Sequence, residues 1–274
     1  MISDRAKAAR DILAFYVEAG VDMAVGEAPN DYLAGDPMPA APAQSAAPAL
    51  APTAPEPIRR PSAPPPMPAQ AAPPGADAAV MAAREAARSA KSMDELRAIL
   101  ESFEGCALKA TASRLVFADG NPQARVMFVG EAPGRDEDIE GLPFVGRSGK
   151  LLDKMLSAIG LDRTKVYIAN IVPWRPPGNR TPTPVETQIC LPFLLRQIEL
   201  CAPDFVVTMG NPSTQTLLQT SDGITRTRGR WFPFKSGDRD IKVLPTFHPA
   251  FLLRSPLQKR LAWRDFLAIK KVLG

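Results

Sequence analysis

The chain has 274 residues, 45% of them hydrophobic and 7% aromatic, with a formal net charge of +4. Those numbers suit a soluble globular core of one or two domains, and the mild basic bias is compatible with a polyanionic partner without proving one. Three scattered cysteines argue against a disulfide framework, and no run of about 18 apolar residues offers a membrane span. The start, Met1-Ile-Ser-Asp-Arg-Ala-Lys, carries charge where a secretory leader needs an apolar stretch. A cytoplasmic protein that does not touch the membrane is expected, and nothing demands more than a monomer.

Residues 1–35 read as a short helical segment, with Ile12, Leu13, Tyr16 and Val17 near one face. Residues 36–77 are an Ala/Pro-rich linker, extended and semi-rigid, that cannot form a core. Residues 78–274 are the main domain. Up to about residue 103 this domain begins with one or two helices, with Ser92 as N-cap and Glu95 in capping-box position. Four β-rich runs follow, at 125–129, 166–172, 205–209 and 242–247, and each precedes a helical pattern, at 148–159, 184–200, 212–219 and 256–272. Such alternation predicts a parallel sheet with helices on both faces, and a ligand site outside the carboxyl ends of its strands.

Chemistry collects at those ends. The first run leads into Gly130-Glu131-Ala132-Pro133-Gly134, a tight turn whose backbone N–H groups can face a ligand, and then into Asp136, Glu137 and Asp138. Gly141-Leu142-Pro143-Phe144-Val145-Gly146 holds an aromatic between glycines. Asn170 ends the second run, Gly210 the third, and the fourth leads to His248, the only histidine in the chain. A carboxamide can pair with the polar edge of a base, an aromatic can stack on it, and an imidazole can stabilise charge on a leaving group. Taken singly, each has a plainer use: a turn glycine, a core phenylalanine, a loop-capping asparagine, a packed histidine, a solvated acidic run. Their joint position favours a pocket for a flipped nucleobase.

The segments Gly130-Glu131-Ala132-Pro133-Gly134, Pro143-Phe144-Val145-Gly146 and His248-Pro249-Ala250 resemble the family 4 uracil-DNA glycosylases. Asn170 and the stretch Arg175-Pro176-Pro177-Gly178-Asn179-Arg180-Thr181-Pro182 strengthen the likeness, which runs from about Ser92 to Gly274. The resemblance implies a three-layer α/β/α sandwich around a four-stranded parallel sheet. It implies hydrolysis of the N-glycosidic bond of deoxyuridine in DNA, releasing uracil and leaving an abasic site, as in base excision repair. On the matching positions, Phe144 stacks on uracil, Asn170 binds its edge, and backbone near Gly130 and Ala132 completes the pocket. Glu131 positions the water or stabilises the sugar cation, and His248 donates to the uracil oxygen as the anion leaves. Ala132 occupies the place of an Asp that orients water in the best-known glycosylases. Acid–base help then falls to Glu131, with Asp136 and Glu137 as further candidates. Arg175, Arg180 and Arg254 are the expected DNA contacts, Arg254 in a segment expected at the minor groove.

The chain departs from the family at its metal. Members resemble one another in holding an iron–sulfur cluster on four cysteines. Here Cys106 and Cys190 match two of those positions, but Phe103 and Trp174 stand at the other two. Cys201 lies too far along the helix from Cys190 to replace either. No cluster and no other metal or cofactor is therefore expected, with Phe103 and Trp174 filling the volume. Residues 173–183 also lack the inserted basic loop and histidine by which a related glycosylase type bonds covalently to the abasic site. The alternative is a slow or non-catalytic module that recognises uracil or abasic DNA. The segment before residue 78 is a candidate for docking on a protein partner.

Overall fold

The computed structural model describes residues 75–274; the helix read over residues 1–35 and nearly all of the Ala/Pro tract lie outside the described residues. Helix α1 (Ala76–Ser89) buries Ala79, Ala83 and Ala87 at four-residue spacing, so small side chains let its backbone approach a neighbour. Helix α2 (Met93–Ser102) starts where Ser92 Oγ accepts from the Glu95 N–H at 3.2 Å. The Glu95 carboxylate reaches one residue beyond the capping-box partner and accepts from the Lys91 N–H at 2.7 Å.

The sheet corrects the expectation of four strands: it has six, β1 (Asp119–Gly120), β2 (Val126–Gly130), β3 (Tyr167–Asn170), β4 (Phe205–Met209), β5 (Phe232–Ser236) and β6 (Arg239–Thr246). Their order is β1-β3-β2-β4-β6-β5. Strands β3, β2, β4 and β6 are parallel and correspond to the runs read from sequence. Strands β1 and β5 are antiparallel additions at the two edges. β1 is two residues long, too short to show any periodicity. β5 contains Pro233, which removes a ladder donor and is tolerated at an edge. The result is an α/β fold on a mixed, mostly parallel sheet.

Helices α3 (Arg135–Glu140) and α4 (Arg147–Ala158) follow β2, and α5 (Pro184–Cys201) follows β3. Helices α6 (Asn211–Leu218) and α7 (Ile224–Thr227) follow β4, and α8 (Pro249–Arg254) and α9 (Lys259–Leu273) follow β6. α5 begins with a full capping box: Thr183 Oγ1 accepts from the Glu186 N–H at 3.2 Å, and Glu186 accepts from the Thr183 N–H at 2.7 Å. Alternation along β2 divides the core. Met127 and Val129 pack with Phe193, Leu194 and Ile198 of α5. Val126 and Phe128 pack on the opposite face with Leu152 and Leu156 of α4 and Phe266 and Ile269 of α9.

From β2 the chain builds outward to β3 on one side and to β4 and β6 on the other. The order therefore reverses between β2 and β4, where an open α/β sheet forms its crevice. Among the described residues no helix is long and apolar enough to cross a membrane.

Candidate active site

A cleft of about 760 Å³ opens at this crevice. It is walled by Glu131 after β2, Asn170 at the end of β3, Gly210 after β4 and His248 after β6, with Phe144 from the loop before α4. The strand-end groups picked out in the sequence are thus brought together. Gly130 and Asn170 are register partners in the β2–β3 ladder. A β-carbon on Gly130 would stand 2.4 Å from Asn170 Oδ1 and 2.7 Å from the Phe144 ring. Glycine is required there because two side chains occupy the space.

Asn170 is buried, and its Oδ1 has no hydrogen-bond partner. Glu131 also has a buried oxygen, Oε1, without a partner, and burial raises its carboxyl above the usual range. Orphaned acceptors of this kind are expensive in a core, so two in one cleft mark a site for a donor. Glu137 differs. Its Oε2 accepts from the Gly134 N–H at 3.1 Å, and its Oε1 accepts from the Val145 and Gly146 N–H groups, each at 3.1 Å. With both oxygens engaged, Glu137 ties the Gly130–Gly134 turn to the Phe144 loop. Asp136 is exposed and lies outside the cleft lining. Phe144 itself has φ 55°. For a side chain with a β-carbon that left-handed conformation costs roughly 1–2 kcal/mol, a strain typical of functional positions.

His248 is the N-cap of α8, and its Nδ1 accepts from the Ala250 N–H at 3.1 Å. A neutral ring with an accepting Nδ1 carries its proton on Nε2. Burial, with the Arg254 charge adding to it, lowers the imidazole pKa to about 4, so the ring is neutral at neutral pH. The ring packs against Phe144, with centroids 5.4 Å apart. The segment leading to His248 is pinned from behind. Buried Asp265 of α9 accepts from Thr246 Oγ1 at 2.8 Å and pairs with Arg228, whose guanidinium lies 5.3 Å above the Phe247 ring.

The three expected DNA-contacting arginines diverge. Arg175 donates to Asn179 Oδ1 at 2.7 Å and sits 3.8 Å from Asp138. Arg180 lines the cleft but is held by both oxygens of Glu186, at 2.8 and 2.6 Å. Arg254 is exposed at the cleft wall and makes no ion pair among the described residues. Sequence reasoning missed Asn211, which follows Gly210 directly and also lines the cleft. The strand-end rule reaches it if read one residue further.

Away from the cleft, Cys106 Sγ and Cys190 Sγ are 3.8 Å apart and buried. Trp174 is buried in the same core cluster, and Phe103 packs against that cluster with its ring edge-on to Phe193 at 5.1 Å. Cys201 is buried, its Sγ 3.7 Å from the Ala124 carbonyl oxygen.

Residues 117–267 match the uracil DNA glycosylase superfamily. The chain is 41% identical over 188 residues to a type-4 uracil-DNA glycosylase of Sulfurisphaera tokodaii, covering 66% of this chain and 86% of that protein. It is 39% identical over 188 residues to the type-4 uracil-DNA glycosylase of Archaeoglobus fulgidus, covering 67% and 94%. It is 44% identical over 151 residues to the one from Thermotoga maritima, covering 55% and 77%. The chain therefore belongs to the uracil-DNA glycosylase superfamily, as a type-4 member and so a hydrolase of N-glycosyl bonds.

Proposed function

We propose that this cleft takes a deoxyuridine flipped out of DNA and hydrolyses its N-glycosidic bond, leaving an abasic site. The observation that carries the reading is the unpartnered, buried Oδ1 of Asn170 beside the Phe144 ring. Uracil presents a donor at N3 between acceptors at O2 and O4. The Asn170 carboxamide can accept from the first and donate to O4, while Phe144 covers the ring face.

As the bond from C1′ to N1 breaks, its electron pair passes into the uracil ring and negative charge develops on O2. The Nε2–H of neutral His248 donates there, stabilising the leaving anion without first having to lose a proton. Glu131, an unpartnered carboxyl made more basic by burial, orients the attacking water and balances the charge of the sugar cation. Ala132 offers no side chain for that task. Glu137 holds the two loops in place through backbone N–H groups. Arg254, which makes no ion pair among the described residues, supplies a cation for phosphate at the cleft wall.

We infer that this reaction runs without an iron–sulfur cluster. Such a cluster takes four protein ligands, and the donors at the family's positions are two thiols, Cys106 and Cys190, already in contact at 3.8 Å. Among the described residues, no three His, Cys, Asp or Glu side chains converge as metal ligands.

Uracil release from a labelled uracil-containing oligonucleotide tests the function. Wild-type protein releases uracil, and Glu131→Gln lowers the rate by about 10²-fold or more while keeping DNA affinity. Wild-type binding without release would favour a recognition module instead.

A further inference from the structure

Phe144 is 5% exposed, and its left-handed turn leaves two successive carbonyls, those of Pro143 and Phe144, in need of partners away from water. Both are taken by one side chain. Arg163 Nη1 donates to the Pro143 oxygen at 3.1 Å, and Nη2 donates to the Phe144 oxygen. Arg163 stands nineteen residues beyond Phe144, ahead of β3. Its guanidinium is fixed in turn: Nε donates to Asp153 of α4 at 2.8 Å, and Nη1 to Asp119 of β1 at 2.5 Å. The side chain is 24% exposed, so the fork is largely shielded from competing water.

Gly149 of α4 packs directly on the same Phe144 carbonyl. A β-carbon there would stand 1.6 Å from the Phe144 carbonyl oxygen. The next two N–H groups, of Val145 and Gly146, are held by Glu137. The Phe144 backbone is therefore gripped at its carbonyls by a cation and at the following amides by a carboxylate, while α4 presses on it through a glycine. Two ion pairs alone would need only a charge at residue 163. Serving two carboxylates and two carbonyls at once takes four N–H donors spread over a planar fork, which arginine has, whereas a lysine ammonium offers three on one atom.

We propose that Arg163 is a positioning residue for the reaction: it holds the left-handed turn that presents the Phe144 ring to the base. The inference rests on the reading of Phe144 as the stacking face. Arg163 touches neither base nor sugar, and its effect passes wholly through Phe144.

The test is a double-mutant cycle in the full chain, using Arg163→Lys, Arg163→Ala and Phe144→Ala, alone and combined. Steady-state release from a uracil-containing oligonucleotide is read together with inhibition by free uracil. Each Arg163 variant raises KM and weakens uracil inhibition on the order of tenfold to a hundredfold. In the Phe144→Ala background the same substitution adds no more than about twofold, because its route of action is already gone. Additive losses, or uracil inhibition unchanged by Arg163→Lys, would overturn the assignment. If Arg163→Ala does not fold, Arg163→Lys and Asp119→Asn carry the test, with melting curves to show that the fold is kept. Harmless Phe144→Ala sinks the stacking reading and this inference with it. Harmful Phe144→Ala beside harmless Arg163→Lys sinks the role of Arg163 alone.

Discussion

Asn170 Oδ1 occupies the space that a side chain on Gly130 would fill, 2.4 Å from the ideal β-carbon position of its ladder partner. The cleft is thus built into the sheet itself, since the strand pairing that sets the fold also sets the distance between the Asn170 carboxamide and the β2 terminus. Gly130→Ala must push Asn170, the Phe144 ring, or both out of place. Uracil release should fall on the order of a hundredfold, as misplacement by about 1 Å commonly does. Release kinetics beside a melting curve check this; a normal rate in the alanine variant would mean that neither side chain needs its present position.

The pH dependence follows from two groups with opposite signs. Unfolded His248 takes up a proton near pH 6.5, but in the fold it does so only near 4. Stability therefore declines as pH falls through that window, because the unfolded chain binds more protons there. Glu131 works the other way: its folded pKa is raised above 4.5, so its contribution to stability is lost as pH rises through the raised value. For activity, no inflection from His248 is expected near pH 6.5. The acid limb reports protonation of Glu131 first, with His248 following near 4. Single-turnover rates of wild type, Glu131→Gln and His248→Gln across pH 4–8 separate the two. An inflection near 6.5 that vanishes in His248→Gln would mean that the imidazole is not held neutral.

The central strands and the groups at their ends were legible in the sequence for one physical reason. Fully buried parallel strands leave short apolar runs, and two of them end in a glycine, Gly130 where side chains leave no room and Gly210 where φ is 94°, so these punctuate the chain where the cleft lies. β1 and β5 were not legible, because two residues carry no period and a proline argues against a strand. The clamp on Phe144 was also hidden. Arg163 precedes β3, so a search of strand carboxyl ends passes over it. The job of Glu137 depends on three backbone N–H groups that no side-chain pattern encodes.

Trp174 and Phe103 offer a test of the cluster-free reading through stability. Trp174 is 2% exposed and shares a core cluster with both thiols of the Cys106–Cys190 contact. If its indole fills the volume that family members give to a cluster, Trp174→Ala should destabilise the fold by about 3–5 kcal/mol, measured by denaturant unfolding. Anaerobic reconstitution with iron and sulfide should leave wild-type absorbance near 400 nm and its melting temperature unchanged. Stoichiometric iron in the reconstituted wild type would overturn the reading.

The three arginines expected to meet DNA should separate by their present partners. Arg180 is already bound by both Glu186 oxygens, and Arg175 is engaged with Asn179 near Asp138, so a phosphate must compete for either one. Arg254 has no such competitor among the described residues, and it stands at the cleft wall six residues after His248. Each phosphate contact that is lost lowers the slope of log affinity against log salt by about 0.7–0.9. Arg254→Ala should show that full decrement on a uracil-containing oligonucleotide, and Arg180→Ala much less of it. Glu186→Gln frees Arg180 from its ion pair while keeping a side chain able to serve the helix cap. DNA affinity should then rise at low salt and fall more steeply as salt is added. Equal decrements for Arg180 and Arg254 would show that the Arg180–Glu186 pair opens readily when DNA arrives, and that ion pairing in the free protein does not decide which cations the backbone meets.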